Sequence, residues 1–162
     1  MKTFLLVPIL MIAASSVPLG QTRGANANSK ASPLAATWKA NLAKSQRDPN
    51  HQFQSLTLHF EVSGDVLSLT YSGVNMAGLE ESGTTSLHPD GKEYPVAGAP
   101  GVVVITKWLG PHILETVARK DGKVVGQGTY EVSSDGMTLK AKIQGIDAGG
   151  GSFEQLVVLE RQ

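Results

Sequence analysis

The sequence predicts an all-β domain, an antiparallel up-and-down meander of eight to ten strands closed into a barrel. Short segments alternate apolar and polar residues with the period of two that a strand requires, most clearly over residues 56–62. Turn signals separate these segments, among them Asp-Gly pairs at Asp90, Asp121 and Asp135. No window after Trp38 has a convincing helical period. A meander without covering helices removes its unpaired edges by closing.

The composition narrows the chemistry available to the chain. The 162 residues include no cysteine, which excludes disulfides, zinc–thiolate sites, iron–sulfur clusters and a cysteine nucleophile. Fourteen basic and fourteen acidic residues give a net charge of zero, so no global field draws the protein to nucleic acid. A chain without cross-links must be held together by its apolar core.

The N-terminal residues are typical of a signal peptide. Lys2 precedes an apolar run of about twelve residues, shorter than the ~20 that a membrane-spanning helix needs. Ala25-Asn26-Ala27 then has the small-x-small form of a signal-peptidase site, with a site near Gly20 as the alternative. We therefore expect a secreted or periplasmic protein with no membrane span in its mature form.

Cleavage after Ala27 divides the chain into three parts. Residues 1–27 are the predicted signal peptide, and residues 28–35 are polar with a Ser-Pro pair, which predicts a flexible lead-in. Residues 36–162 then form one domain, since the mature chain of about 135 residues has the usual size of one domain.

Ten segments have strand character. The clearest hairpin turns at Ser63-Gly64-Asp65 and places Leu56, Leu58 and Phe60 on one face of the first of its two strands. A sandwich is the alternative to a barrel, but it needs long crossovers, and only residues 45–52 and 74–81 are long enough. The predicted strands cover residues 38–44, 53–62, 66–72, 83–87, 93–96, 102–109, 112–119, 123–132, 137–144 and 152–160.

The turns between the later strands support the meander. Asp90-Gly91, Asp121-Gly122 and Asp135-Gly136 each supply the positive φ of a tight hairpin, which glycine adopts without a Cβ clash. Gly110-Pro111 provides another reversal, and residues 147–151 form a glycine-rich loop before the last strand.

Signals of catalysis or metal binding are weak. The chain has no G-x-S-x-G elbow, and its glycine-rich loop lacks the Lys-Ser/Thr and the helix that a phosphate site needs. His59 and Glu61 share a strand face, but that face is the polar one, which favours a solvent-facing pair over a metal site. We expect no enzyme activity, no metal and no cofactor.

Six residues are candidates for contacting a ligand inside the barrel. Tyr71, Trp108 and Tyr130 are large enough to line a pocket, and Gln155 interrupts an apolar row of the last strand. Both faces of residues 113–119 contain apolar side chains. One orientation therefore places Glu115 and Arg119 in the lumen to hold a ligand head group, and the other makes an outward ion pair. The candidates are Tyr71, Trp108, Glu115, Arg119, Tyr130 and Gln155.

The first and last strands carry a resemblance. The segment from Ala36 to Ser45, the Tyr94-Pro95-Val96 element and a basic residue just before the end resemble small exported bacterial proteins described as lipocalin-like. The chain is also similar to the wider lipocalin and fatty-acid-binding (calycin) superfamily. That resemblance implies that Trp38 packs at the closed end of the barrel under Arg161, a cation–π contact with a structural role. Residues 45–52 are too short for the helical lid of the fatty-acid-binding branch.

Two functions follow from a lipocalin-like barrel. The first is the binding of a small apolar or amphipathic ligand, since a barrel of about eight strands has room for one small molecule. Gly126 and Gly128 share the parity of Tyr130 and leave space for either a bend or a ligand. The second is a structural or interaction module of the cell envelope with a filled core.

Overall fold

The computed structural model describes residues 32–147 and 149–162. The predicted signal peptide lies outside these residues, as does the first part of the predicted lead-in. In this part of the chain, no helix is long and apolar enough to cross a membrane. The strands are β1 (Ala36–Ala40), β2 (Phe53–Ser63), β3 (Val66–Asn75), β4 (Glu80–Leu87), β5 (Asp90–Pro95), β6 (Val102–Gly110), β7 (Ile113–Lys120), β8 (Lys123–Val132), β9 (Thr138–Ile146) and β10 (Ser152–Arg161).

All ten strands belong to one antiparallel sheet. Their order is β4-β3-β2-β1-β10-β9-β8-β7-β6-β5, so each strand except β5 hydrogen-bonds to its predecessor in sequence. The first and last strands also pair, with Trp38 opposite Arg161 and Ala40 opposite Leu159. This pairing curls the sheet into a barrel. The predicted all-β meander is confirmed, and the sandwich alternative is wrong.

The barrel wall has one seam, between β4 and β5. These strands follow each other in sequence but stand at the two ends of the strand order and do not pair with each other. The predicted hairpin at Asp90-Gly91 is therefore wrong. The chain reverses earlier, where the Asp90 N–H donates to the carbonyl of His88 at 2.8 Å. The Asp-Gly pair lies inside β5 and produces a bulge against β6, with Gly91 at a φ of 77°.

The same dipeptide makes true hairpins elsewhere. Asp121 and Gly122 have φ values of 51° and 77°, the two positive angles of the turn that suits the twist of a two-residue hairpin. Gly136, between β8 and β9, has a φ of 72°. Both of these predicted turns are confirmed.

The two barrel ends differ in how they are covered. At the N-terminal end, where β1 begins and the β2–β3, β4–β5, β6–β7 and β8–β9 turns lie, Leu34 and Trp38 are fully buried. The Trp38 indole N–H donates to the Leu34 carbonyl at 2.9 Å. Arg161 Cζ lies 5.2 Å from the centroid of the Trp38 ring. Residues 32–35 of the predicted flexible lead-in thus form a turn that packs into the barrel.

Residues 41–52, the β1–β2 connection, cross the opposite end as a non-helical strap. Gln46 makes an isolated bridge to Leu156, and the ring of His51 stacks on Phe153 with centroids 4.2 Å apart. His51 Nδ1 lies 2.9 Å from Asp48 Oδ1, and this hydrogen bond holds the pKa of Asp48 below its usual value. Residues 45–52 contain no helix, as their short length predicts.

Candidate functional site

An open cleft of about 810 Å³ lies at the N-terminal end of the barrel. This volume falls in the range of about 300–1,000 Å³ that small-molecule sites occupy. The β2–β3, β4–β5 and β6–β7 turns frame the cleft, and Trp108 of β6 forms part of its inner wall. The other lining residues are Ser32, Pro33, Val62, Gly64, Asp65, Val66, Leu67, His88, Pro89, Asp90, Tyr94, Pro111 and His112.

Hydrogen bonds and stacking fix one wall of this cleft. The rings of His88 and Tyr94 stack with centroids 4.0 Å apart, and the Tyr94 hydroxyl donates to Asp90 Oδ2 at 2.8 Å. The backbone N–H of Lys92 and this hydroxyl hold the pKa of Asp90 below its usual value. The same bond raises the pKa of Tyr94. The wall therefore combines an ionised carboxylate with a protonated phenol at neutral pH.

Behind Trp108, polar side chains interrupt the apolar lining of the barrel. Strand register places Thr106 of β6 opposite Thr116 of β7, and Thr116 opposite Gly128 of β8. The line continues through Ile143 of β9 to Gln155 of β10. Cross-strand partners share a face of the sheet, and these residues face the buried interior. We call Thr106, Thr116, Gln155 and the hydroxyl of Tyr130 the polar row.

Gly128 allows the hydroxyl of Tyr130 to reach the polar row. A Cβ placed on Gly128 would lie 2.9 Å from Thr116 Oγ1 and 3.3 Å from the Tyr130 hydroxyl oxygen. The Tyr130 ring thus lies alongside Gly128, and it also meets Phe60 edge to face at 5.6 Å. Complete burial raises the pKa of Tyr130, so its hydroxyl remains a hydrogen-bond donor. The space predicted at Gly128 is filled by these side chains.

Three atoms of the polar row lack hydrogen-bond partners. Thr106 Oγ1, the Tyr130 hydroxyl and Gln155 Oε1 are buried and have no partner among the residues that the structure describes. Thr116 Oγ1 donates only a long bond of 3.4 Å to the carbonyl of Gly128. Buried polar atoms are almost always hydrogen-bonded, and leaving one unsatisfied costs about 1–3 kcal/mol. An unpaired set of three is therefore the chemically distinctive feature of the interior.

Trp108 separates the cleft from the polar row. It follows Thr106 by two residues on the same strand face and stands opposite Leu114, which in turn stands opposite Tyr130. Trp108 is half-buried, whereas Thr106 is 1% exposed and Tyr130 is fully buried. The cleft is thus open to solvent, and the row behind Trp108 is enclosed.

Four of the six sequence candidates face the interior. Trp108 lines the cleft, and Tyr130 and Gln155 belong to the polar row. Tyr71 is buried with its ring against Gly83 of β4, and burial followed by the charge of Glu81 raises its pKa.

Thr106 and Thr116 were not among the candidates predicted from the sequence. Thr106 lies on the same face of β6 as the apolar residues Val104 and Trp108, so the alternation in the sequence could have placed it in the interior. Thr116 stands between Leu114 and Ala118, but β7 has apolar residues on both faces, so its pattern alone does not show which face is inward.

The lumen placement of Glu115 and Arg119 is wrong. Glu115 Oε2 lies 3.1 Å from Lys107 Nζ, and the Gln127 side chain donates to Glu115 Oε1 at 2.8 Å. Arg119 makes its ion pair with Glu93 at 3.4 Å. These contacts lie on the outer face of the barrel.

The burial of β7 gives the reason for this correction. Leu114 and Thr116 are fully buried, and Ala118 is 2% exposed. These three residues have the opposite parity to Glu115, so they occupy the inner face.

Among the described residues, no group of three or more side chains of the types that bind metals comes together.

Comparison with solved structures identifies the fold. No protein-family model and no curated protein sequence matches the chain. Among solved structures, the Schistosoma mansoni fatty acid binding protein in complex with arachidonic acid superimposes with a TM-score of 0.55 and 14% identity. The match covers 81% of this chain and 97% of that one. The chain has a lipocalin-like, calycin-type barrel fold.

Two further structures share the lipocalin-like fold. Wild-type fluorescent protein UnaG has a TM-score of 0.53 at 16% identity, over 79% of this chain and 96% of its own. Rv2717c from M. tuberculosis has a TM-score of 0.52 at 22% identity, over 81% of this chain and 94% of its own. The likeness lies in the fold, so the polar row has to be interpreted from this chain's own residues.

Proposed function

We propose that the protein is an exported, non-enzymatic carrier of a small amphipathic ligand. The apolar body of the ligand lies in the cleft against Trp108, and its polar group reaches the polar row. One observation carries this proposal, namely the three buried, unpartnered atoms on Thr106, Tyr130 and Gln155. The predicted signal peptide before Asn28 supports a secreted or periplasmic location.

The polar row offers complementary hydrogen bonds to such a ligand. The hydroxyls of Thr106 and Tyr130 donate, and the Gln155 side-chain oxygen accepts. In an enclosed site of low polarity, a hydrogen bond to the ligand is stronger than the same bond in water. A ligand group that pairs with one of these atoms removes the desolvation penalty of that atom, and this contributes to both affinity and orientation.

The cleft supplies the apolar part of the binding energy. Trp108, Val62 and Leu67 present apolar surface there, and each Å² that a ligand covers contributes about 25 cal/mol. Because the polar row is enclosed, the Trp108 side chain must move to admit the ligand. The fatty acid binding protein that superimposes on this chain is in complex with arachidonic acid, which supports an amphipathic ligand with a long apolar chain in this fold.

A structural or interaction module of the cell envelope is the second candidate. The complete burial of Leu114, Thr116 and Tyr130 favours it, because these side chains fill the interior around the row. The two candidates differ in one measurable property, which is saturable binding of a small amphiphile.

Tryptophan fluorescence tests the proposed function. The chain has two tryptophans, Trp38 in the buried end and Trp108 at the cleft. Dodecanol is expected to shift the emission of the unaltered protein and of Trp38→Phe saturably, since both retain Trp108. The matched variant Trp108→Phe retains only Trp38 and is expected to show no shift. If the emission of neither tryptophan changes up to the solubility limit of dodecanol, the carrier function is wrong.

A further inference from the structure

We propose that the polar group of the ligand is uncharged, such as a hydroxyl, ester, ketone or amide, and that the barrel discriminates against carboxylates. The inference rests on the proposed function and names its ligand class. It follows from a row of neutral hydrogen-bonding groups, Thr106, Thr116, Tyr130 and Gln155, with no cationic side chain on the three adjacent interior lines of β6 to β10. The strap side chains Arg47 and His51 lie beyond these lines, on the rings of Phe53 and Phe153.

The lines of side chains next to the polar row carry no charge. Towards the N-terminal end, register aligns Trp108, Leu114, Tyr130, Ala141 and Val157 across β6 to β10. Towards the strap, it aligns Val104, Ala118, Gly126, Gly145 and Phe153. Three successive interior lines across five strands thus consist of apolar, glycine or neutral polar residues.

The cations of the same strands face outward. Lys107 pairs with Glu115 at 3.1 Å, and Lys142 of β9 pairs with Glu154 at 3.4 Å. More than half of each lysine side chain is exposed. Lys107 and Lys142 therefore pair with glutamates on the outer face of the barrel, and neither lysine faces the polar row.

Arg161 shares the inner parity of Gln155 but is remote from it. Six residues separate them along β10, a distance of about 20 Å at ~3.3 Å per residue. Val157 and Leu159 lie between them and are fully buried. The Arg161 Nη2 donates to the carbonyls of Pro33 and Ala35 at 3.4 Å each and the guanidinium lies over Trp38, while its buried Nε has no partner among the described residues.

A carboxylate at the polar row would be poorly compensated. It would lose its hydration and gain only bonds from uncharged donors, namely the hydroxyls and the Gln155 amide, with no positive charge to offset its own. A hydroxyl or amide both donates and accepts, so it suits the mixed set of unpartnered atoms.

Three ligands with the same chain length test this inference. Dodecanol, methyl dodecanoate and dodecanoate are titrated at neutral pH while Trp108 emission is recorded. We expect both neutral ligands to bind at least about tenfold more tightly than dodecanoate. Equal or tighter binding of dodecanoate would overturn the inference and leave the carrier function standing. No binding of any of the three would overturn the carrier function itself.

A charge-adding variant separates recognition from the greater solubility of an ion in water. Gln155→Lys places a cation in the polar row, and we expect it to raise the ratio of dodecanoate to dodecanol affinity by about tenfold or more. Gln155→Leu is the matched control and is expected not to raise that ratio. The solubility of each ligand in water does not depend on the protein variant. An unchanged ratio of dodecanoate to dodecanol affinity in a folded Gln155→Lys protein would therefore refute charge-based selection. Should that lysine prevent folding, Thr106→Lys provides the same test from β6.

Discussion

Replacing Trp38 with alanine is expected to lower the free energy of unfolding by about 3–5 kcal/mol. The Trp38 side chain is fully buried at the N-terminal end of the barrel, where it packs beneath Arg161. Its removal leaves a cavity and also leaves the carbonyl of Leu34 without its 2.9 Å hydrogen bond. Because β1 is a short strand that joins β2 to β10, a loss here weakens the closure of the barrel.

Chemical denaturation of Trp38→Ala, Trp38→Phe and Arg161→Gln measures this effect. The phenylalanine variant keeps most of the apolar contact and is expected to lose less than the alanine variant. Arg161→Gln removes the cation over the ring, and we expect it to lose about 0.5–2 kcal/mol. A loss below about 1 kcal/mol for Trp38→Ala is too small for a buried tryptophan and would contradict its burial at the N-terminal end of the barrel.

Making the polar row apolar is expected to stabilise the ligand-free protein and abolish binding. The triple variant Thr106→Val, Tyr130→Phe and Gln155→Leu removes three buried atoms that have no partner among the described residues. Each unsatisfied atom costs about 1–3 kcal/mol, so the free energy of unfolding should rise by several kcal/mol. Dodecanol then loses the hydrogen bonds that hold its hydroxyl, so its binding should disappear.

Two measurements on the triple variant separate the candidate functions. Denaturation without ligand reports the stability change, and Trp108 emission reports dodecanol binding. Thr129→Val is the matched control, since Thr129 lies on the opposite face of β8 from Tyr130, and it should change stability by no more than about 0.5 kcal/mol. A destabilised triple variant would show that the row supports a filled core. Retained dodecanol binding would show that the ligand lies elsewhere.

The sequence predicts most of the fold because its signals are local and repeated. Alternation identifies the strands, and the Asp121-Gly122 and Asp135-Gly136 turns join neighbours. Asp90-Gly91 shows the limit of such signals. There Pro89 precedes the pair, and the Asp90 carboxylate accepts bonds from Lys92 and Tyr94 of its own strand, so the chain forms a bulge. The Asp-Gly dipeptide favours positive φ angles, and the neighbouring residues determine whether those angles form a hairpin turn or a bulge.

The candidate site was less predictable because strand orientation depends on neighbouring strands. In β7, Ile113 and Val117 on one face are as apolar as Leu114 and Ala118 on the other. Pairing with β6 and β8 places the second face inward and gives Glu115 its partner, Lys107, on the outside. Tyr130 was identifiable because it alternates with the polar residues Thr129 and Glu131, and Gln155 because it interrupts the apolar row of Phe153, Val157 and Leu159.

Native mass spectrometry of protein freshly purified from its own host tests the carrier function most directly. We expect a complex heavier than the polypeptide by the mass of one small uncharged amphiphile, which is released when the protein unfolds. The triple variant, prepared in the same way, should carry no such mass. A bare polypeptide mass in the unaltered protein, still unchanged after incubation with dodecanol, would show that the carrier function is wrong.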